Sequence, residues 1–433
     1  MQVFGVIITA ILTSFYFFPF EFYFMPGVNT KLVMAVVGLV LLGFSLAKSR
    51  SAMIDKDFIT VFSMALSVSF VSLLTVAFNG TNEGTFLTYF MSMLVWMSAT
   101  YVVCKVIKLV HGHVSVELIC QYLILVCSLQ CILALAMNLY LPLRVGINNM
   151  ISEDADAYMG VAEGRLYGIG CALDVAGLKF SSVLVMLAHL CVYGSEKVQK
   201  NIVWYIIAFF VIVVIGNMIS RTTTVGAVLA LTYWIICGFR LKFVPNGENM
   251  KFIVYIVTAL LIFVPVFIIL YNTSDAMQSN IRFGFEGFFS LFETGKWQTG
   301  SNDILLNHMI VFPETLKTWI IGDGYAANPS HDPYYIGESY HGFYMGTDIG
   351  YLRYIFYFGL TGLAIFIAYF SVVAGVCAKN FPSYAMMFIF ILGINFIGWL
   401  KVSTDIFVVF APFLCVAFSG EETDEQENAI VRN

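Results

Sequence analysis

The stretch Thr347-Asp348-Ile349-Gly350-Tyr351-Leu352-Arg353-Tyr354-Ile355-Phe356-Tyr357-Phe358-Gly359-Leu360 decides how this chain is read. A polar pair, Thr347-Asp348, enters a run of aliphatic and aromatic residues that holds one charge, Arg353, about one turn inside. A charged side chain in hydrocarbon costs several kcal/mol unless it is paired. Asp348 stands five positions earlier and off the helical face of Arg353, and a ligand phosphate is the other partner on offer. Upstream, residues 272–348 form the long polar loop of a chain whose other connections are short. Loops of that length are usually functional or disordered, and the aromatic content here argues for order.

Composition agrees with a membrane protein. The chain is 60% hydrophobic and 11% charged, where a soluble domain carries about 25% charge. The net charge of −5 says little about partners, because charge in such a protein matters loop by loop. No basic tract suits nucleic acid. The nine cysteines show no CxxC spacing, and residues such as Cys104, Cys127, Cys131 and Cys237 sit in apolar runs as small hydrophobes. Residues 3–20 lack a basic leader and a small-residue cleavage site, so they read as a retained helix.

Apolar runs of about 20 residues that could cross a bilayer occur at 3–20, 32–47, 58–78, 86–110, 117–141, 172–193, 202–219, 222–238, 252–271, 349–376, 384–400 and 404–418. The expectation is an all-α polytopic membrane protein with about twelve transmembrane helices. Its parts are helices with short loops over 1–271, the large loop over 272–348, three helices over 349–419 and a tail over 420–433. Lys48, Arg50 and Lys56, Lys105 and Lys108, Lys197 and Lys200, Arg240, Lys242 and Lys251, and Lys379 alternate with loops poor in positive charge. The positive-inside rule then places both termini in the cytoplasm. It places residues 142–171, the turn at Arg221 and the long loop on the outer side. There is no internal repeat, which counts against an inverted-repeat transporter.

The outer segments hold the candidate residues. Within the loop, 281–297 is Phe-rich around Arg282 and Glu286 and suits an interfacial position. Residues 302–321 have helical spacing divided by Pro313, and Gly322-Asp323-Gly324-Tyr325 reads as a turn. Arg221, between Ser220 and Thr222-Thr223-Thr224 at a helix mouth, is made for a phosphate, with hydroxyls beside it. The alternative is an arginine that only fixes helix depth. Arg165 and Arg282 are further candidate anion ligands. Asp174 and Lys179 are ionisable groups near or inside the membrane; helix-end hydration and snorkelling are their plain alternatives. Lys401 and Asp405, four apart, are placed to pair. His341 is a candidate general base or acid, with Asp348 as second choice or helix cap. His331, Asp332, Glu338, His341 and Asp348 match no metal-ligand spacing, so neither metal nor cofactor is expected.

At these residues the chain resembles the O-antigen polymerase (Wzy-type) family, within the superfamily that includes O-antigen ligases. Three matches carry the resemblance. Ser220-Arg221-Thr222-Thr223 with Gly226 is similar to the superfamily's Ser-Arg-Thr helix start. Arg165, Gly168 and Asp174 are similar to its Arg-Gly-Asp/His pattern, with Val175-Ala176 where Pro-Asn is usual. Gly322-Asp323-Gly324, His341, Asp348 to Arg353 and Phe358-Gly359-Leu360-Thr361-Gly362 form the third.

The resemblance implies a GT-C-like fold in a bacterial inner membrane with a periplasmic loop. It implies a glycosyltransferase that joins undecaprenyl-pyrophosphate-linked repeat units. Arg221, Arg353, Arg165 and Arg282 would hold pyrophosphate, and His341 or Asp348 would be catalytic. Partners would be the lipid-linked glycan donor and acceptor, membrane lipid and a chain-length regulator. An O-antigen ligase, a flippase of the same lipid-linked sugar and a membrane scaffold are the competing readings. Charges gathered at the outer face favour an enzyme over a transporter.

Overall fold

The computed structural model describes residues 2–48, 55–152, 164–240, 261, 264–265, 267–272, 274–329, 335, 337, 340 and 342–419. Among them the chain is all-helical, with isolated β-bridges and no strands. Six helices are long and apolar enough to cross a membrane: Lys56–Asn79, Tyr89–His111, Val116–Leu139, Leu173–Tyr193, Ile202–Ile219 and Gly350–Asn380. Shorter apolar helices lie at Val3–Phe17, Thr30–Ser45, Thr223–Cys237, Pro382–Gly398 and Phe407–Ser419. Most of 252–271 lies outside the described residues. So do Arg50, Lys242, Lys251, His331, Asp332, Glu338, His341 and the tail.

Local chemistry explains several boundaries. The Asp55 carboxylate accepts from the Asp57 amide and caps Lys56–Asn79, which ends at Gly80 in the left-handed region (φ 66°). The Ser115 hydroxyl caps Val116–Leu139. Each cap satisfies an amide that has no partner inside its helix.

By internal contacts the chain divides into two units. One comprises Met1–Val37 and Val102–Trp297, and the other Gly38–Tyr101 and Gln298–Gly420, setting aside the tail. The boundary after Trp297 falls within residues 272–348. The first part of that loop forms two short helices, Asp275–Gly284 and Glu286–Thr294. Its second part forms Gly300–His308 and Leu316–Ile320, with Pro313 in the gap as expected.

In the first unit, Leu173–Tyr193 is buried nearly throughout. Thr223–Arg240 lies on it, with Gly226 so close that a Cβ would meet Ser181 Cα at 2.1 Å. The Ser181 hydroxyl donates to the Thr222 carbonyl (3.0 Å) and accepts from the Gly226 amide (3.1 Å). Only hydrogen fits at 226, and that contact sets the register of the Arg221 turn.

In the second unit, Gly350–Asn380 is interrupted at Phe358 and Gly359. Gly359 (φ 67°, ψ −174°) occupies a region that is essentially glycine-only. The Gly322–Gly324 turn enters at this break. Asp323 N–H donates to the Phe356 carbonyl (2.6 Å) and Gly324 N–H to that of Tyr357 (3.0 Å). From Lys56–Asn79 and the residues just after it, Thr75, Asn79 and Thr81 donate to the carbonyls of Ile321, Gly322 and Gly324 at 3.1–3.2 Å. Irregular backbone at membrane depth requires such partners from protein.

Candidate functional sites

Among the described residues each unit holds a cluster of charged, partly buried side chains. In the first, the turn between Ile202–Ile219 and Thr223–Arg240 presents Ser220, Arg221 and Thr222. Ser220 and Thr222 both donate to Asp174 Oδ1, at 3.2 and 2.5 Å. Asp174 lies in the first turn of Leu173–Tyr193 and follows Leu173, a non-glycine residue at φ 56°. Backbone of that kind costs about 1–3 kcal/mol and persists only where its surroundings impose it. The expectation that these hydroxyls stand beside Arg221 to receive a phosphate is corrected. They are committed to Asp174, and their role is to pin the turn so that the residue between them projects.

The projecting Arg221 side chain is 15% exposed and forms an ion pair with Glu286, which is 40% exposed. Its guanidinium lies 4.6 Å from the centroid of the Phe283 ring, and the Arg165 guanidinium lies 4.6 Å from the same centroid. The two cations are therefore no more than 9.2 Å apart, twice 4.6 Å. Arg165 is fixed by its neighbour, because Leu166 N–H donates to the Met218 carbonyl at 3.0 Å. Asp275–Gly284 carries Phe283 against this backbone, and a Cβ at Gly284 would touch Met218 N at 3.0 Å. Burial, and next the charge of Arg165, lowers the Arg221 pKa, while Asp174 opposes the shift. Two like charges share one aromatic ring here, an arrangement that gains from an added anion.

Arg282 is not part of this cluster. It pairs with Glu293 (2.8 Å), is about half exposed, donates to the Tyr271 hydroxyl (3.1 Å) and lies over Phe289. Its contacts are those of a surface residue fastening Glu286–Thr294. Lys179 does not snorkel. It is buried at 5% exposure, donates to the Phe17 carbonyl and lies over the Phe17 and Phe18 rings.

In the second unit Arg353 is 14% exposed and pairs with Asp348 at 3.6 Å. The sequence put Asp348 off the Arg353 face, but the helix begins at Gly350, with Ile349 as cap, so Asp348 is free of helical geometry. Arg353 Nη2 donates to the Ala326 carbonyl (3.3 Å), and the guanidinium stacks on Phe343 at 3.3 Å. Its Nε is buried and has no partner among the described residues. Nearby in sequence, Asp323 accepts from Lys317 (2.9 Å), Thr318 (2.8 Å) and Tyr344 (3.4 Å). Burial, with the Asp323 charge next, raises the Tyr344 pKa and keeps that phenol a donor.

Asp405 accepts from Tyr89 at 3.0 Å and caps the Phe407 amide at 2.9 Å. His341 lies outside the described residues. Among the described residues no group of three His, Cys, Asp or Glu side chains is placed to hold a metal ion.

Reading the sequence missed Glu286 as the partner of Arg221, the shared Phe283 ring and the docking of Asp323 at the Gly359 break. Glycine directly after Phe356-Tyr357-Phe358 in a span was the available signal for the last. Comparison with protein-family models, curated proteins and solved structures found no match.

Proposed function

We propose that this chain is a glycosyltransferase of the O-antigen polymerase type. It would span the inner membrane about twelve times with a GT-C-like arrangement, both termini in the cytoplasm and the long loop in the periplasm. It would transfer a growing glycan from undecaprenyl pyrophosphate to a lipid-linked repeat unit and release undecaprenyl pyrophosphate. The observation that carries the reading is the pair Arg165 and Arg221 over one phenylalanine ring at the mouth of a membrane helix.

The leaving group of this reaction is already a good one. What it needs from protein is charge stabilisation and a proton acceptor for the attacking hydroxyl. Arg165 and Arg221 would hold the pyrophosphate, whose oxygens displace Glu286 from Arg221. Both substrates carry a pyrophosphate, and Arg353 in the second unit offers a second place for one. Its pair with Asp348 is long at 3.6 Å, and its buried Nε lacks a partner among the described residues. His341 is proposed as the base.

The test is the polysaccharide ladder of a deletion strain complemented with variants at matched membrane levels. Deletion should leave a single repeat unit on the lipid core; bare core instead means a ligase or a flippase. Arg221→Lys should lose most long polymer, because a point charge cannot replace a planar fork that stacks and binds two oxygens. Full ladders from both Arg221→Ala and Arg353→Ala would end the proposal.

A further inference from the structure

A cavity system in the first unit is lined by neither Arg165 nor Arg221. Its lower part is an apolar groove of about 390 Å³ between Gln2–Phe17 and Val116–Leu139, lined by residues such as Ile7, Ala10, Ile11, Leu125 and Leu129. Ile7, Ile11 and Leu129 are about half exposed, so the groove opens to the lipid side of these helices. Its upper part is a pocket of about 260 Å³ whose polar lining includes Glu21, Asn29, Asn148, Ser152 and Tyr167. Phe20 lines both. The backbone of Gly168-Ile169-Gly170 joins them, because Ile169 lines the groove and its two glycine neighbours line the pocket.

The junction is a built structure. Gln130 donates to the Ile169 carbonyl (3.0 Å) and accepts from its amide (3.1 Å), which fixes the turn to the helix. Ser152 N–H donates to the Glu21 carbonyl (3.0 Å), and Asn148 donates to the Tyr167 hydroxyl (3.2 Å). These bonds hold the pocket walls together. A pocket with carboxylate, amide and hydroxyl groups beside aromatic edges, set on an open hydrocarbon groove, matches an amphiphile end to end.

The sign of the lining selects the head group. Among the described residues no lysine or arginine lines either cavity, and one carboxylate, that of Glu21, does. A phosphate at the junction would meet Glu21, while Lys179, buried behind Cys171, is committed to the Phe17 carbonyl and the Phe17 and Phe18 rings. We infer that this groove and pocket bind a glycolipid with an uncharged, hydroxyl-rich head joined to its hydrocarbon without an intervening phosphate. Asn29, Asn148, Ser152 and Tyr167 bond the sugar hydroxyls, and the helix pair holds one chain. Neither Arg165 nor Arg221 lines the site, and it stands without the polymerase reading.

Native mass spectrometry of the full chain released from nanodiscs tests it. The discs contain equal amounts of a diacylglycerol bearing a neutral disaccharide, phosphatidylethanolamine and phosphatidylglycerol. One glycolipid per chain should be retained, enriched about tenfold over either phospholipid, the ratio that about 1.4 kcal/mol supplies. Asn148→Leu with Tyr167→Phe should abolish the preference while lipid is still retained. Leu129→Trp, at a half-exposed position, should reduce retention of every lipid, and a monodisperse elution profile will show that each variant folds. Retention in proportion to composition, preference for either phospholipid, or enrichment that survives both variants overturns the inference.

Discussion

Replacing Gly359 with alanine should separate the long loop from its helix. The backbone at 359 has φ 67° and ψ −174°, a conformation that costs an L-residue about 1–3 kcal/mol. The added Cβ would also lie 2.2 Å from the Ile320 carbonyl oxygen and 2.5 Å from Ile321 N. Those atoms are backbone and cannot rotate away, so the Ile320–Gly324 segment must retreat. Retreat breaks the bonds from Asp323 and Gly324 to Phe356 and Tyr357, each worth about 1 kcal/mol. The combined loss is about 3–5 kcal/mol, or a fall in apparent Tm on the order of 10 °C for a cooperative unit of this size. Thermal unfolding in detergent, at one scan rate because such unfolding is commonly irreversible, measures it. Gly375 in the same helix is the control, since a Cβ there meets nothing within 4 Å. Gly375→Ala should match or slightly exceed the native protein, as alanine is the better helix former by about 1 kcal/mol. If the two variants unfold together, the loop is not seated in the break.

Other outcomes follow from the two clusters. Phe283→Leu removes the ring shared by Arg165 and Arg221 and should weaken inorganic pyrophosphate binding about tenfold by calorimetry, from roughly 0.5–1 kcal/mol per cation–π contact; unchanged affinity refutes the role. Glu286→Gln should tighten pyrophosphate severalfold while moving stability by less than about 1 kcal/mol, because an ion pair with a substantially exposed partner contributes little. Weaker binding would make Glu286 a positioning group for Arg221. Purified protein should extend lipid-linked repeats in excess chelator, since arginines can neutralise the leaving group. Activity that is lost and returns only with a divalent ion contradicts that. His341→Ala should stop polymer formation without weakening retention of the lipid-linked donor, and a normal ladder would pass the role of base to Asp348.

The helical character was legible because hydrocarbon demands long apolar runs, and those runs are visible without neighbours. The sites were legible as residues and not as constellations. Arg165 and Arg221 stood out as charges at helix mouths, but Glu286 lies 65 positions from Arg221 and nothing local links them. Ser220 and Thr222 misled because a hydroxyl beside an arginine suits a ligand as well as it suits Asp174. The Arg353 pairing was misjudged through the helix boundary, since starting at Gly350 instead of Asp348 releases the carboxylate from the face rule. The interruption at Gly359 escaped notice because glycine is common in membrane helices and often interrupts nothing.

That interruption also sets an order of assembly. Asn79 precedes Gly322 by 243 positions, and the second half of the broken helix emerges from the ribosome after both. Until the turn docks, the Phe356 and Tyr357 carbonyls lack the Asp323 and Gly324 amides that meet them at the break. Residues from Gly359 onward number about 22 and span about 33 Å at 1.5 Å each, enough to cross hydrocarbon unaided. Contacts of such sequence separation are slow to form, so the turn is expected to seat on the break after the flanking helices are in place. A protease site placed between His308 and Leu316 should become protected at that step and not before.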